Sequence, residues 1–451
     1  MSVTAASLRK TTRIHVAASR SSQVVPVGSA EQLRAVLAPG SGYATPFRPR
    51  GAGSSATDCN ASAVGTVLDL TGLDDVLDID TYNHRITVQA GARISQVVDA
   101  LAVHGMELAG SHDLMNRTIG GAVAGGCIGP SLGGDGGLFA SQVIGLKVVT
   151  PDGKMMTADI GQQKILNVLR LSYGMLGVIV EVTLKARPIA GFSATHRRCT
   201  IAQFSNAVEK LAKTKIGLKF FMLPFRDRVY LEMRRFDASA RATASIPWRI
   251  KDWGESTVLP NVFKSLNRII PVSGVRYRLI DQVSSLTQGL VSNRLVSGGS
   301  AATVKPGAKA ANALRYSTWF FPASDFTVVV QAFREFCEQV RSESGFRCDM
   351  PTVGYLVGRD RSAILSPSFD EPMIALRAVS TQGKGWSNFA IDFGDFARNW
   401  GAAPLFNQSL ELNPTYAKSA FGQRLAYFRK VRRQVDPDNR MMNPYLSQYF
   451  L

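Results

Sequence analysis

The sequence predicts an α+β chain of two domains, and three observations lead there. At 451 residues, with 45% apolar and 19% charged side chains, it can bury more core than one small domain needs. Segments with the period of a strand and segments with the period of a helix alternate through its first 190 residues. Charge then divides the chain: residues 1–190 carry 16 Lys/Arg and 14 Asp/Glu, whereas residues 191–451 carry 36 and 20, so the net +18 sits almost wholly in the second region.

Several classes of protein are set aside by the same reading. No apolar run reaches the length that spans a bilayer. The five cysteines are odd in number and lack metal-type spacing, which suits core-filling thiols in a reducing, cytoplasm-like compartment. Residues 1–30 hold Arg9, Lys10, Arg13 and Arg20 without an acidic partner, yet lack the apolar core of a secretory signal. No nucleic-acid module is visible, and the positive charge follows no such motif.

Taken in order, "SAEQLRAVLA" reads as a helix capped by Ser29, with Leu33, Val36 and Leu37 on one face. "RPRGAGSSATDCNASAVGTVLDL", Arg48 to Leu70, runs from a bare loop into an apolar strand. Gly51 and Gly53 have no Cβ and can turn main-chain N–H groups onto an anion, with Ser54 and Ser55 adding hydroxyls; glycine-serine clusters beside strands are also ordinary turns. "RITVQAG" is a strand, and "ISQVVDALAVHG" a helix with Ile94, Val97, Val98 and Leu101 inward, stopped at Gly105. Residues 110–137 hold ten glycines in 28 positions, a density that forfeits packing and suits a ligand lying against backbone. "QVIGLKVVTPDGKMMTAD" is two strands around a Pro-Asp-Gly turn, and "GVIVEVTLK" a strand with Val178, Val180, Val182 and Leu184 on one side.

The order "RGAGSS", "ITVQAGARISQVVDAL", "TIGGAVAGG", "GLKVVTPDGK", "GMLGVIVEVTLKARP" resembles the FAD-binding domain of the vanillyl-alcohol oxidase, or PCMH-type, flavoprotein superfamily. The resemblance implies a two-subdomain FAD-binding domain over residues 1–190, completed by the tail 425–451, and a cap domain over 191–424 with an antiparallel sheet and flanking helices. It implies that Arg50, Gly51, Ala52, Gly53, Ser54 and Ser55 cradle the FAD pyrophosphate. Gly110, Ser111, Thr118, Ile119, Gly120, Gly121, Ala122 and Gly125 would line the flavin, with Gly177 and Val178 at the adenine side. The later stretches, including "LKFFMLPFRDRVYLEMRRFD" and "FRKVRRQVDPDNRMMNPYLSQYF", are similar to sugar-lactone oxidases and to decaprenylphosphoryl-ribose oxidases, the latter peripheral at membranes.

Departures from these relatives shape the expected chemistry. The position that often carries a flavin-linked histidine is Ser54, so the FAD is expected to be non-covalent. A frequent His-Gly pair is replaced by Ile128-Gly129, and Asn407 and Gln408 stand where a lysine is common. The resemblance implies oxidation of a C–OH group on a sugar, lactone, polyol or related alcohol, with oxygen or a carrier accepting the electrons. A different oxidative or redox-neutral step on the same fold is the alternative. Such oxidation needs a group to take the hydroxyl proton. The candidates are His112 in the glycine tract, Tyr355 on a cap strand, Asn407 and Gln408; a solvent-facing histidine and a merely hydrogen-bonded tyrosine are the plain alternatives.

Residues 241–315 hold eleven basic and three acidic side chains, interleaved with Trp248, Trp253, Ile269 and Ile270. Arg249, Lys251, Lys264 and Arg268 would suit an anionic substrate or membrane surface, and a solvated insertion is the other reading. The expected place is cytoplasmic, with peripheral contact at a membrane.

Overall fold

The computed structural model describes residues 22–129, 137–189, 192–214, 216–236, 259–270, 272–289, 295–297 and 314–451. Its first part joins two small sheets. Strands Gln23–Pro26 and Phe47–Arg50 flank Thr66–Asp69 in a parallel three-stranded sheet. The helix Ala30–Leu37 opens at Ser29, whose hydroxyl accepts the Gln32 N–H at 3.0 Å, satisfying a donor that a helix start leaves unpaired. Leu33, Val36 and Leu37 then share a core with Phe47, Leu68, Val149 and Val178.

The second sheet is antiparallel, in the order Val76–Asp80, Arg85–Gln89, Val178–Lys185, Val143–Val149, Met155–Asp159. Its last two strands meet at Pro151-Asp152-Gly153, where Gly153 takes φ +81°. The helix Ile94–Ala102 buries the four apolar residues that its sequence spacing puts on one side.

The cap is built on one eight-stranded sheet, antiparallel at every described pairing. Its order is Leu295–Ser297, Phe192–Cys199, Arg228–Phe236, Gly217–Leu223, Thr352–Val357, Met373–Ser380, Arg315–Pro322, Ala403–Pro404. Helices Ile201–Ala212, Phe326–Ser344 and Trp386–Asn399 cover one face through a run of aromatic contacts: Phe204 and Phe326 on Phe220, Phe333, Phe393 and Phe396 on one another, and Phe393 and Phe396 on Phe321. Each such ring contributes about 2–3 kcal/mol by leaving water.

Because side chains alternate along a strand and directly paired residues share a face, this helix layer fixes what the other face presents. Phe220 goes to the helices opposite Gly354, where a Cβ would come within 2.0 Å of its ring. Lys219 and Phe221 therefore point the other way, paired with Tyr355 and Val353; Val353 is in turn paired with Arg377, and Arg377 with Thr318.

The C-terminal tail returns to the first part. The Phe47 N–H donates to the Arg440 carbonyl at 2.7 Å, and the Asn443 amide donates to the Asp58 and Ala61 carbonyls at 2.7 and 2.6 Å. Met441 is buried in the core beneath the three-stranded sheet. Within the basic stretch, helices Leu259–Ile269 and Ser273–Gly289 pack through Phe263, Tyr277 and Ile280, and Asp281 pairs with Arg347 at 2.6 Å. Trp248, Arg249, Lys251 and Trp253 lie outside the described residues, as do the side chains of Lys264 and Arg268.

Candidate active site

An inner cleft with about 780 Å³ of empty space, its mouth included, lies between the loop after Phe47–Arg50 and the glycine tract. Gly51, Ala52, Gly53, Ser54, Ser55, Thr118, Gly120, Gly121, Gly125 and Gly177 line it, as do Arg48, Arg117, Cys127 and Asn407. The bareness of the loop is structural: a Cβ on Gly51 would stand 2.0 Å from the Thr118 hydroxyl, and Gly53 has φ +65°. Arg48 supports the wall from beneath. Its guanidinium donates to the carbonyls of Cys59 at 2.8 Å, Met441 at 2.5 Å and Gly174 at 3.4 Å, and to that of Tyr173. Burial pulls it down to about 10, still a cation at neutral pH.

The remaining residues expected at the flavin lie elsewhere. Arg50 is on the outer side of the loop, paired with Asp69 at 3.1 Å. Ile119, Ala122 and Val178 belong to the apolar core, because the short helix Ile119–Ala124 and the strand Val178–Lys185 turn those positions inward. The Ser111 hydroxyl donates to the Leu108 carbonyl at 3.0 Å. Gly110 is a backbone crossing: a Cβ on Gly129 would come 1.6 Å from its oxygen. None of these six is among the residues lining the inner cleft.

A wider outer cavity, about 1580 Å³ of empty space with its mouth, shares Gly53, Ser54, Ser55 and Arg117 with the inner cleft. Apart from Ala56, the cap supplies its other walls: Phe221, Val353, Met350, Val379 and Leu410 are among the apolar ones, while Gln288, Arg315, Tyr316 and Arg377 are polar. Arg117 donates to the Ser54 hydroxyl and, at 3.2 Å, to the Ser54 carbonyl, which also accepts from the Tyr316 hydroxyl at 2.8 Å. Arg377 donates to the Thr318 hydroxyl at 3.1 Å and to the Gln408 amide oxygen at 2.9 Å. Gln408 is 1% exposed and also accepts from Thr318 at 2.9 Å, so it orients Arg377 from behind and does not line the cavity. Asn407 does line the inner cleft; its Oδ1 is buried and has no hydrogen-bond partner among the described residues.

One strand pair further along, Tyr355 and Lys219 close on Asp113 of the glycine tract, each 2.9 Å from the same carboxylate oxygen. Burial acts to raise the Asp113 carboxyl, but the Lys219 ammonium and the Arg234 guanidinium overcome it and hold the group below the usual carboxylate range. Burial, reinforced by that carboxylate, pushes the Tyr355 phenol up to about 12. The His112 side chain lies outside the described residues.

Arg48, Asp113, Lys219 and Arg377 went unremarked in the sequence. The available signal was a charged residue within an otherwise apolar strand: Lys219 in "GLKFFML", buried at all seven positions, and Arg377 in "MIALRAVS". A cation is buried at such a place only with partners, which marks a polar face.

The residues present fit FAD, on two observations: a loop whose close approach leaves Gly51 no room for a Cβ, and the orphaned Asn407 oxygen at the cleft wall, an acceptor ready for a flavin amide. Fold and site together define an FAD-binding protein with a cap domain. Residues 21–159 match the FAD binding domain family, and residues 182–449 match the D-arabinono-1,4-lactone oxidase family. The second match spans more than half of the chain, which therefore belongs to the D-arabinono-1,4-lactone oxidase family. L-gulono-1,4-lactone dehydrogenase of Mycobacterium tuberculosis is 28% identical over 226 residues, 49% of this chain and 51% of that protein. The mitochondrial L-galactono-1,4-lactone dehydrogenase of Arabidopsis thaliana is 32% identical over 192 residues, 41% of this chain and 30% of that protein. The alignments thus span about half, or less, of these relatives' lengths. Among solved structures, cholesterol oxidase from Brevibacterium sterolicum superimposes with a TM-score of 0.75 at 16% identity, over 95% of this chain and 94% of that one. Xylooligosaccharide oxidase from Myceliophthora thermophila gives 0.66 at 13%, over 95% and 91%. Likeness at that identity is likeness of fold.

Proposed function

We propose that the protein oxidises a C–OH group of a sugar lactone, polyol or related alcohol held in the outer cavity, using FAD held in the inner cleft. The observation that carries this reading is the adjacency of the two spaces, which share Gly53–Ser55 and Arg117 as a common wall, with the fixed cation Arg377 on the cap side. The names of relatives such as the L-gulono-1,4-lactone and L-galactono-1,4-lactone dehydrogenases support the lactone class.

Bound FAD supplies acceptance of hydride from the carbinol carbon. The chain's own groups then have two tasks, holding the alcohol and stabilising charge as its proton leaves. Arg377 meets the second: its described partners are neutral oxygens, so no described carboxylate cancels its charge before a developing alkoxide does. Tyr355 stays a neutral phenol below about 12 and donates its hydroxyl hydrogen bond to Asp113, which leaves its oxygen lone pairs as acceptors. Asp113 is an anchor, since a carboxyl held so acidic is a weak base. Phe221, Val353 and Leu410 keep the cavity dry enough for Arg377 to act at close range. Ser54, with no imidazole to bond to the flavin, goes with non-covalent FAD; oxygen or a carrier takes the electrons, and the protein works in the cytoplasm or at a membrane surface.

Anaerobic addition of L-gulono-1,4-lactone, L-galactono-1,4-lactone and a polyol series, followed at the flavin absorbance, tests the reading. At least one is expected to bleach the flavin within seconds to minutes. Failure of every lactone and polyol, with full flavin occupancy, would contradict it.

A further inference from the structure

Among the described residues lining the inner cleft are the arginines Arg48 and Arg117, and they use their donors differently. Arg48 commits Nε, Nη1 and Nη2 to four main-chain carbonyls beneath the wall. Arg117 reaches the Ser54 hydroxyl and carbonyl from Nη1 alone, and it lines the outer cavity as well. Its backbone is pinned on both sides: the N–H donates to the Leu114 carbonyl at 2.8 Å, and the carbonyl accepts from the Ile94 N–H at 2.9 Å. The guanidinium therefore stands at a fixed place on the wall that the two spaces share. No described Asp or Glu lines either space. Beside Arg117 stand the Tyr316 hydroxyl, which donates to the same Ser54 carbonyl at 2.8 Å, and the Cys127 thiol, which burial raises although Arg117 and Arg377 act to lower it. Burial opposes the charge of Arg117, but Cys127 and Tyr316 offset that and hold the group above its ordinary value, so it is a cation at every working pH.

Resting on the proposed oxidation, the redox ring of FAD belongs at this shared wall, because hydride has to cross from the outer cavity to the inner cleft. Hydride brings the ring two electrons and one proton, so the ring is left with a negative charge unless a second proton follows from water. We infer that Arg117 is the cation that balances this charge, favouring the reduced flavin and keeping it anionic, with Ser54 as the residue that holds the guanidinium in place. A fixed charge acts strongly on a charge that develops where little water enters. Arg48 is not equivalent, since its donors all point into carbonyls and it lines the inner cleft alone. The reaction then has two cations for two charges: Arg377 on the cap for the alcohol oxygen, and Arg117 on the glycine tract for the flavin.

The test is the midpoint potential of the full-length, FAD-loaded protein, read by equilibration with redox dyes across pH and without any alcohol. Arg117→Met should keep its flavin while its reduction equilibrium falls by about tenfold or more, which for two electrons is a drop of about 30 mV or more. The pH slope of the wild-type potential should show one proton taken up per two electrons through neutral pH. That of Arg117→Met should show two, because the reduced ring then takes its second proton. Arg117→Lys keeps a charge and should stay nearer the wild type in both respects. Ser54→Ala frees the guanidinium without removing it and should lower the potential by a smaller step. A wild-type potential and slope in Arg117→Met overturn the inference. So does loss of flavin by Arg117→Met with the Ser54→Ala potential unmoved, since Arg117 would then serve to hold the phosphates of the cofactor. The potential is read without turnover, so a flavin that no lactone or polyol reduces would sink the proposed oxidation, whereas an unmoved potential would sink this inference alone.

Discussion

The inner cleft and the cap face are opposite kinds of site. The cleft is made largely of backbone: its loop and tract approach so closely that Gly51 has no room for a Cβ against Thr118, and fourteen of its lining positions lie in two local sequence clusters, 48–55 and 117–127. The cap face is made of side chains brought together across strands, Lys219 with Tyr355 and Arg377 with Thr318, separated in sequence by 136 and 59 residues. A site of the first kind tolerates little added volume, while a site of the second kind tolerates volume and depends on charge and register.

The contrast breaks first at the loop. Gly51→Val is expected to remove flavin altogether, because the added branch meets the Thr118 side chain and forces the loop off the tract. Flavin absorbance per mole of purified protein checks it; full occupancy would mean that the loop is not the cradle. A smaller effect is expected where the two regions meet. Asp113→Asn leaves Lys219 and Arg234 facing an amide, at a cost of about 2 kcal/mol for a partly buried ion pair, seen as a lower melting temperature. Its pH signature has a definite sign. The Asp113 carboxyl is held below its unfolded value, so its contribution is complete above the ordinary carboxylate range and fades as pH falls through and below that range. The wild type should lose its advantage over Asp113→Asn on acidification, and an unchanging difference down to acid pH would assign the loss to packing instead.

The same contrast decides what could be read in the sequence. The helix at Ala30–Leu37, the strands around Pro151-Asp152-Gly153 and the strand Val178–Lys185 were legible because each follows from local spacing, a cap or a turn. Gly51–Ser55, Thr118, Gly120, Gly121, Gly125 and Gly177 were legible because backbone sites announce themselves by the residues that lack side chains. Ile119, Ala122 and Val178 sit in the same motifs but on inward positions, a distinction that one tract of sequence does not carry. Arg377 needed three strand registers to reach the cavity, and Gln408 needed the position of Arg377 to be recognised as its support. Asp113 stands in the tract that drew notice, yet its role depends on Lys219, 106 residues away. Long-range pairing, not residue type, is what hid them.

The central claim is that backbone holds the flavin while cap side chains act on the alcohol, and one measurement on Arg377→Met tests it most directly. Flavin content and the anaerobic rate of flavin reduction by a lactone that reduces the wild type are measured on the same preparation, with Gln408→Leu beside it. Arg377 touches only cap and Gln408 atoms among its described hydrogen bonds, so Arg377→Met should retain a full complement of flavin. Its reduction should slow by about 100-fold, as on removal of a fixed charge from a developing oxyanion, and Gln408→Leu, which only loosens that charge, should slow it by about tenfold. Wild-type reduction rates in Arg377→Met, or loss of its flavin, would contradict the division of labour between cleft and cap.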